Sequence, residues 1–210
     1  MINLIQRNSG SFFKQRITTT TIHQDRVSFF NKKTEGKIVL HYGCADWPIY
    51  NKNTNLHYRM CQTSDKIDGF DVDKETITQM SESGIFREES LYYESPDKKY
   101  DFLLIPETIE HVNNVELFLE STLKNADTHT EFLITAPNAF VMSQFNVNID
   151  SEDSYIENVH PDHNCWFSVY TLPNAIEKCF KNIGKKTCFQ EIGFLERKSM
   201  VYSLFTLEDL

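Results

Sequence analysis

Short apolar runs alternate with amphipathic, helix-like stretches along most of this 210-residue sequence. Apolar runs of this length, bounded by turn residues, are typical of buried strands. Alternating strands and helices favour an α/β fold with a parallel, doubly wound sheet. The pattern predicts strands over 38–42, 66–72, 90–94, 100–105 and 131–136, helices over 54–62, 73–80, 113–124 and 168–182, and last strands near 186–194 and 199–206.

Capping residues support the predicted helix starts. Asp73 is expected to cap the helix that follows the second strand. Asn113, with Glu116 three residues later, gives a pattern close to a capping box. For the last helix, Ser168 and Thr171 are alternative caps.

The first predicted strand ends in three small residues, Gly43-Cys44-Ala45, followed by Asp46-Trp47-Pro48. In an open α/β sheet, ligands bind beyond the carboxyl ends of the strands. Small side chains there let a ligand approach the backbone closely. The stretch therefore has two interpretations, a ligand-binding turn and an ordinary exit from a strand into a loop.

Length and composition favour one domain, since 210 residues that are 40% hydrophobic can bury a full core. We expect a lead-in and helix over 1–35 and the main domain over 36–210. Within the lead-in, residues 1–21 are expected to pack loosely, and residues 22–33 to form a short amphipathic helix.

Charge and cysteine usage restrict the partners and the compartment. The formal net charge of -9 disfavours a nucleic-acid partner, because an acidic surface repels phosphates. No apolar run is long enough to span a bilayer, and residues 1–7 lack the apolar core of a signal peptide. Five scattered cysteines without a CxxC pair predict a reduced, cytoplasmic protein. From the net charge and the lack of a long apolar run, we expect neither a nucleic-acid partner nor a membrane partner.

An acidic residue ends the second predicted strand, where Gly69-Phe70-Asp71 is followed by Val72. A carboxylate at this position can accept hydrogen bonds from the ribose of a bound nucleotide. The alternative is a residue that only shapes the turn or the helix start. A GxGxxG fingerprint is absent, with only Gly43 in the first turn, and this disfavours a dinucleotide cofactor.

Two carboxylates and an imidazole follow the fourth strand in the pattern Glu107-x-x-Glu110-His111. In a helical turn these residues face one way. Such a group can bind a divalent cation or position a general base. A solvated acidic turn is the alternative.

The segment His160-Pro161-Asp162-His163-Asn164-Cys165-Trp166-Phe167-Ser168 brings two histidines and an aspartate in front of an aromatic pair. It can supply a metal ligand, a base or a substrate contact. The alternative is a surface turn followed by a helix cap.

Together these segments resemble the class I S-adenosylmethionine (SAM)-dependent methyltransferases over residues 36–195. The matching motifs are 40–46, 69–73, 100–112 and 136–138, in the family's order. The resemblance implies a Rossmann-like, doubly wound, mostly parallel sheet of seven strands with one antiparallel strand, and SAM as the cofactor. It implies cofactor contacts at His41, Gly43, Cys44, Ala45, Asp71, Val72 and Glu107.

The sequence departs from the common first motif at His41, where an acidic residue is usual, and at Ala45 and Trp47, where glycines are frequent. This variant, with the later His160-Pro161-Asp162-His163, resembles a subgroup of bacterial glycan and secondary-metabolite enzymes. The resemblance therefore implies methyl transfer to a hydroxyl of a small molecule or sugar, with glycan biosynthesis as a candidate pathway. The alternatives are a non-catalytic partner subunit with the same fold, and transfer to nitrogen or carbon.

The set Glu107, Glu110, His111 and His163 also resembles the metal site of two relatives, the small-RNA 3′-end 2′-O-methyltransferases and the ubiquinone-pathway O-methyltransferases. The resemblance implies a divalent cation, Mg²⁺ or Mn²⁺, at these four residues. It also implies catalytic roles for Glu110, His111 and His163. Either His111 or His163 is the base, or both hold a cation that lowers the pKa of the acceptor hydroxyl.

Overall fold

The computed structural model describes residues 5–6, 15–17, 20–45, 53–63, 66–87, 90–141, 148–149, 155–156 and 159–210. The predicted turn continuation Asp46-Trp47-Pro48 lies outside these residues, as does most of the lead-in. None of the helices in the described part of the chain is long and apolar enough to cross a membrane.

Eight strands of one sheet and five α-helices build most of the described part of the domain. The strands are β1 (Thr20–His23), β2 (Val39–Tyr42), β3 (Ile67–Phe70), β4 (Leu91–Tyr92), β5 (Phe102–Pro106), β6 (Glu131–Pro137), β7 (Lys185–Leu195) and β8 (Met200–Asp209). The helices are α1 (Arg26–Thr34), α2 (Leu56–Cys61), α3 (Lys74–Glu82), α4 (Val115–Thr122) and α5 (Thr171–Asn182). Two-residue antiparallel pairs also join Ile5–Gln6 to Arg16–Ile17 and Asn148–Ile149 to Tyr155–Ile156.

The eight strands form a single sheet in the order β1-β7-β8-β6-β5-β2-β3-β4. Only β8 runs against its neighbours β6 and β7, so the predicted mostly parallel sheet with one antiparallel strand is confirmed. Apolar side chains alternate between two clusters, with Leu40 and Leu103 in one and Val39 and Phe102 in the other. Because alternate residues of a strand face opposite sides, helices cover both faces, as a doubly wound fold requires.

The strand count of seven was wrong, because Thr20–His23 adds an eighth strand beside β7. Its β-branched residues suit an edge strand, and Gly193 in β7 makes room for it. A Cβ at Gly193 would lie 2.2 Å from the carbonyl oxygen of Thr21. The predicted helix 22–33 is therefore shorter: Asp25 accepts the N–H groups of Val27 and Ser28 and starts α1 at Arg26.

The predicted caps have mixed outcomes. Asp73 caps α3 by accepting the N–H of Thr76, as predicted. The start of α4 was predicted one residue early, because Asn114 rather than Asn113 accepts a first-turn N–H. No capping box forms there with Glu116, whose carboxylate accepts a hydrogen bond from Asn182 instead.

The start of α5 does not follow either predicted cap, because its N-cap is Tyr170, which makes no side-chain capping hydrogen bond. The hydroxyl oxygen of Ser168 accepts the N–H of Thr171 at 3.0 Å, and the helix begins at Thr171. Strands β2, β3, β5 and β6 run parallel to one another. Their carboxyl ends therefore lie at the same edge of the sheet, called the carboxyl edge below.

Candidate active site at the carboxyl edge

The turn after β2 depends on a glycine. Gly43 has φ +70, a conformation that costs L residues energy. A Cβ there would lie 2.2 Å from Oγ1 of Thr108. That hydroxyl lies 3.2 Å from the carbonyl oxygen of Tyr42 and 2.9 Å from that of Pro106, so it bridges the ends of β2 and β5. Gly43 thus permits close packing between two strand ends.

Asp71 connects the end of β3 to the Gly43 turn. Its Oδ2 accepts the N–H of Ala45 at 3.1 Å, and its Oδ1 accepts the N–H of Asp73 at 2.9 Å. Burial raises the pKa of this carboxyl, against the effect of these hydrogen bonds. The next residue, Val72, leaves 82% of its surface exposed. An anchored carboxylate and an exposed apolar side chain therefore lie next to each other beyond β3.

His41 and Cys44, both predicted cofactor contacts, have buried side chains, each only 1% exposed. Nδ1 of His41 lies 3.1 Å from Nδ1 of His57, and Nε2 of His57 lies 3.7 Å from the sulfur of Cys61. Burial lowers the pKa of His41 far below its ordinary value and that of His57 to about 4. Burial also raises the pKa of the Cys44 thiol. A ligand beyond β2 would meet the backbone of this turn rather than these side chains.

Glu107 follows β5 with a left-handed backbone, φ +48. Its Oε2 accepts a hydrogen bond of 2.6 Å from Nη1 of Arg26, the first residue of α1. Its Oε1 is buried and has no hydrogen-bond partner within the described ranges. The sequence did not indicate Arg26, because 81 residues separate the pair and no local pattern marks it.

Glu110 is buried, and neither carboxylate oxygen has a partner among the residues that the structure describes. Burial, and secondarily the charge of Glu107, raises the pKa of Glu110 to about 8. Its carbonyl oxygen accepts the N–H groups of Asn164 at 2.7 Å and Cys165 at 3.2 Å. These bonds bring the segment that carries His163 against the turn after β5.

His111 and His163, which the family resemblance assigns to one site, lie close together. Their ring centres lie 4.7 Å apart, and Nδ1 of His111 lies 3.1 Å from Oδ2 of Asp162. Burial, and then the neighbouring His111 and His160, lowers the pKa of His163. Nδ1 of His163 is buried without a partner in the described structure.

The metal-ligating groups are arranged differently from the predicted set. Among described residues, the side chains that offer ligand atoms within 4.8 Å of one another are His111, His160 and His163. The carboxylates of Glu107 and Glu110 are outside this group, although their unpartnered oxygens are compatible with a cation. Their ligand roles stay predictions, and His160 is a ligand candidate that the sequence marked only as part of its motif.

The fold is similar to that of several methyltransferases of known structure. The glycopeptide N-methyltransferase MtfA is 8% identical; the match covers 89% of this chain and 94% of MtfA, with a TM-score of 0.59. A SAM-dependent methyltransferase from Clostridium acetobutylicum is 10% identical, with 86% and 89% covered and a TM-score of 0.57. DhpI, solved with SAH, is 12% identical, with 86% and 81% covered and a TM-score of 0.50.

No family model matches the sequence, and no curated protein matches it. At these identities, the similarity establishes the fold: the chain has the architecture of the SAM-dependent methyltransferases. MtfA has also been solved with SAM and with sinefungin.

Proposed function

We propose that this chain is a SAM-dependent methyltransferase that transfers a methyl group to a hydroxyl oxygen of a small molecule or sugar. The observation that carries the proposal is the convergence of three strand ends at one edge of the sheet. The Gly43 turn, the anchored Asp71 and the strained Glu107 end β2, β3 and β5, and the histidine pair lies just beyond β5. This is where open α/β sheets bind ligands.

Residues beyond the three strands fit the parts of SAM. Asp71 holds the ribose, since each carboxylate oxygen keeps a lone pair beyond the N–H bond that it accepts. Val72 covers the adenine with its exposed apolar surface. At the amino-acid end of SAM, the free Oε1 of Glu107 accepts a hydrogen bond from the ammonium group of SAM. Arg26 donates a hydrogen bond to the carboxylate of SAM. When bound, SAM supplies a methyl group on a sulfonium, which is already activated for displacement.

The protein must align the acceptor oxygen and take its proton. His111 is the first candidate for the base. Its Nδ1–H donates to Asp162, which fixes the ring and leaves Nε2 as the proton acceptor. During methyl transfer from bound SAM, this Nε2 would accept the proton of the acceptor hydroxyl. His163 is the second candidate, and Glu110 lines the same turn.

A cation version of the same site is the alternative. Mg²⁺ or Mn²⁺ held by Glu107, Glu110, His111 and His163 would lower the pKa of an acceptor hydroxyl. The unpartnered Oε1 of Glu107, both carboxylate oxygens of Glu110 and Nδ1 of His163 support this version.

The acceptor class is a proposal as well. An acidic chain is unsuited to RNA, and the similarity to a glycopeptide N-methyltransferase supports a glycan or secondary metabolite. Because that protein is an N-methyltransferase, an amine is the second candidate acceptor. The same base would serve it, since an ammonium group must lose a proton before its nitrogen can attack. A cytoplasmic location agrees with the five free cysteines.

The test combines SAM calorimetry with methyl transfer from labelled SAM to a panel of sugars and glycopeptides. The assay is run with and without a chelator, on the wild type, His111→Ala and the control His129→Ala, which changes an exposed histidine. We expect His111→Ala to lower kcat by about 10²-fold or more and the control to leave it unchanged. Full activity of His111→Ala in the presence of chelator would contradict both the role of His111 as the base and the cation version, and absence of SAM binding would favour a non-catalytic subunit.

A further inference from the structure

The turn that joins β7 to β8 has an unusual backbone. Three successive residues have positive φ angles: Glu196 (+47), Arg197 (+56) and Lys198 (+75). A left-handed conformation is unfavourable for residues that carry a Cβ, and turns that need it normally use glycine or asparagine. Backbone strain of this kind is found mainly at functional sites. The charged side chains that this turn keeps therefore require an explanation.

The turn lies at the carboxyl edge, beside the end of β6. Asn138 donates its backbone N–H to the carbonyl oxygen of Ser199 and its side-chain N–H to that of Lys198, both at 2.8 Å. On the other side of the turn, Oε1 of Glu196 accepts the backbone N–H of Arg26 at 3.0 Å. The turn is therefore anchored next to the arginine that we assign to the carboxylate of SAM.

Arg197 and Lys198 bring two positive charges to this edge. Both residues are exposed, and neither side chain forms an ion pair or a hydrogen bond with the described part of the chain. Other cations, such as Lys33 and Lys98, pair with carboxylates. Because the formal net charge of -9 repels anions in general, a local pair of uncompensated cations is the feature that would let an anion bind.

We propose that the turn over 196–199 binds a phosphate group of the methyl acceptor. A phosphate monoester carries nearly two negative charges near neutral pH and offers three acceptor oxygens. An arginine can donate two parallel N–H bonds to it, and the adjacent lysine supplies the second charge. Two neighbouring cations therefore match a phosphate better than a singly charged carboxylate. The phosphate site does not depend on the proposed function, whereas its use for the acceptor rests on it.

The end of β6 lies between this turn and the histidine pair. Asn138 forms a β-bridge with Phe167, and Ala139 donates its N–H to the carbonyl oxygen of Phe167 at 2.7 Å, in the segment that carries His163. From β8 across β6 to β5 is two strand spacings, or about 10 Å. A phosphorylated mono- or disaccharide spans a distance of this order. Such an acceptor can therefore present a hydroxyl to His111 while its phosphate contacts the turn.

The experiment follows anion binding to the isotope-labelled full chain by NMR at constant ionic strength. The probes are inorganic phosphate and glucosyl phosphate, with acetate and glucose as controls. The test variant is Arg197→Ala/Lys198→Ala. The matched control, Lys178→Ala/Lys181→Ala, removes the same charge from exposed lysines of α5. Circular dichroism checks folding, and SAM calorimetry is run on each variant.

Glycine variants test the strain itself. Arg197→Gly and Lys198→Gly should each raise the Tm, because glycine adopts a positive φ without steric cost, and each should weaken phosphate binding. A Tm that does not rise would contradict the strain argument, and an unchanged phosphate affinity would contradict the role of the replaced side chain.

We expect both phosphates to shift the amide signals of residues 196–199 in a saturable way, with glucosyl phosphate binding more tightly than inorganic phosphate. Arg197→Ala/Lys198→Ala should weaken both affinities by at least about tenfold and leave SAM affinity unchanged. The control variant should bind phosphate as the wild type does.

Unchanged phosphate affinity in Arg197→Ala/Lys198→Ala, or equal shifts with acetate, would overturn the proposal. A matching loss of SAM affinity would also overturn it, because it would assign the two cations to the cofactor. Equal affinity for the two phosphates would indicate a site for the free anion and contradict the acceptor role. Phosphate binding at the turn in a chain that fails to bind SAM would support the phosphate site and contradict only the proposed function.

Discussion

The buried pair His41 and His57 makes stability depend on pH in a way that a variant can isolate. Burial lowers the pKa of His57 from 6.5 to about 4, so between these values the unfolded chain binds a proton that the folded chain does not. Stability contributed by neutral His57 is therefore present above pH 6.5 and is lost as the pH falls.

The size of this loss follows from the two pKa values. Each pKa unit corresponds to about 1.4 kcal/mol, and integration from pH 7.5 to 4.5 gives a loss of about 2.5 kcal/mol from His57 alone. His41, whose pKa is also lowered by burial, acts in the same direction. Glu110, whose pKa is raised to about 8, acts in the opposite direction, so the total pH dependence does not isolate the pair.

The informative quantity is the difference between the wild type and His57→Gln, measured by urea unfolding with EDTA at pH 7.5 and 4.5. At pH 7.5 we expect the variant to be less stable by about 1–3 kcal/mol, because Nδ1 of His41 loses its partner. At pH 4.5 that deficit should shrink or reverse by about 2.5 kcal/mol. The exposed His129→Gln is the control and should show no such change. An equal deficit of His57→Gln at both pH values would refute the reasoning.

Three substitutions test the proposed cofactor site by SAM calorimetry and thermal unfolding. Gly43→Ala should destabilise the fold by about 2–4 kcal/mol and abolish SAM binding, because the new methyl group clashes with Thr108 and the residue has a positive φ. Adding Thr108→Ala to this variant should remove the clash and restore part of the stability. Arg26→Ala should weaken SAM binding about tenfold or more, because Glu107 loses its partner. Val72→Ser should weaken it about threefold to tenfold with an unchanged Tm, since the side chain is exposed; equal affinity would exclude Val72 from the site.

The sheet was predictable because its strands carry local signals. The buried runs that become β2, β5 and β6 are apolar on both faces, as parallel strands between two helical layers must be. Turn residues at their ends also marked the carboxyl edge. The edge strand β1 was missed, because its sequence Thr20-Thr21-Ile22-His23 is mostly polar, and the glycine that admits it, Gly193, lies far along the chain.

The candidate site was predictable residue by residue but not pair by pair. Motifs indicated Asp71 and Glu107, because each directly follows a strand, and His111, because it lies in the same turn as Glu107. No motif shows that Arg26 pairs with Glu107, or that His160 turns toward His111. Such pairs depend on how distant segments pack, and sequence spacing does not encode this.

The unsatisfied groups of the described structure are unevenly distributed. Some buried atoms without partners are hydroxyls, such as those of Thr135 and Ser203, whereas beyond the end of β5 they are oxygens of Glu107 and Glu110 and Nδ1 of His163. A buried hydroxyl without a partner costs free energy, and a buried ionised carboxylate without one costs far more. Glu107 has both an unpartnered carboxylate oxygen and a left-handed backbone conformation. Local backbone strain of this kind is found mainly at functional sites. A cationic group, either a metal ion or the ammonium of a bound amino-acid moiety, is what would satisfy these atoms.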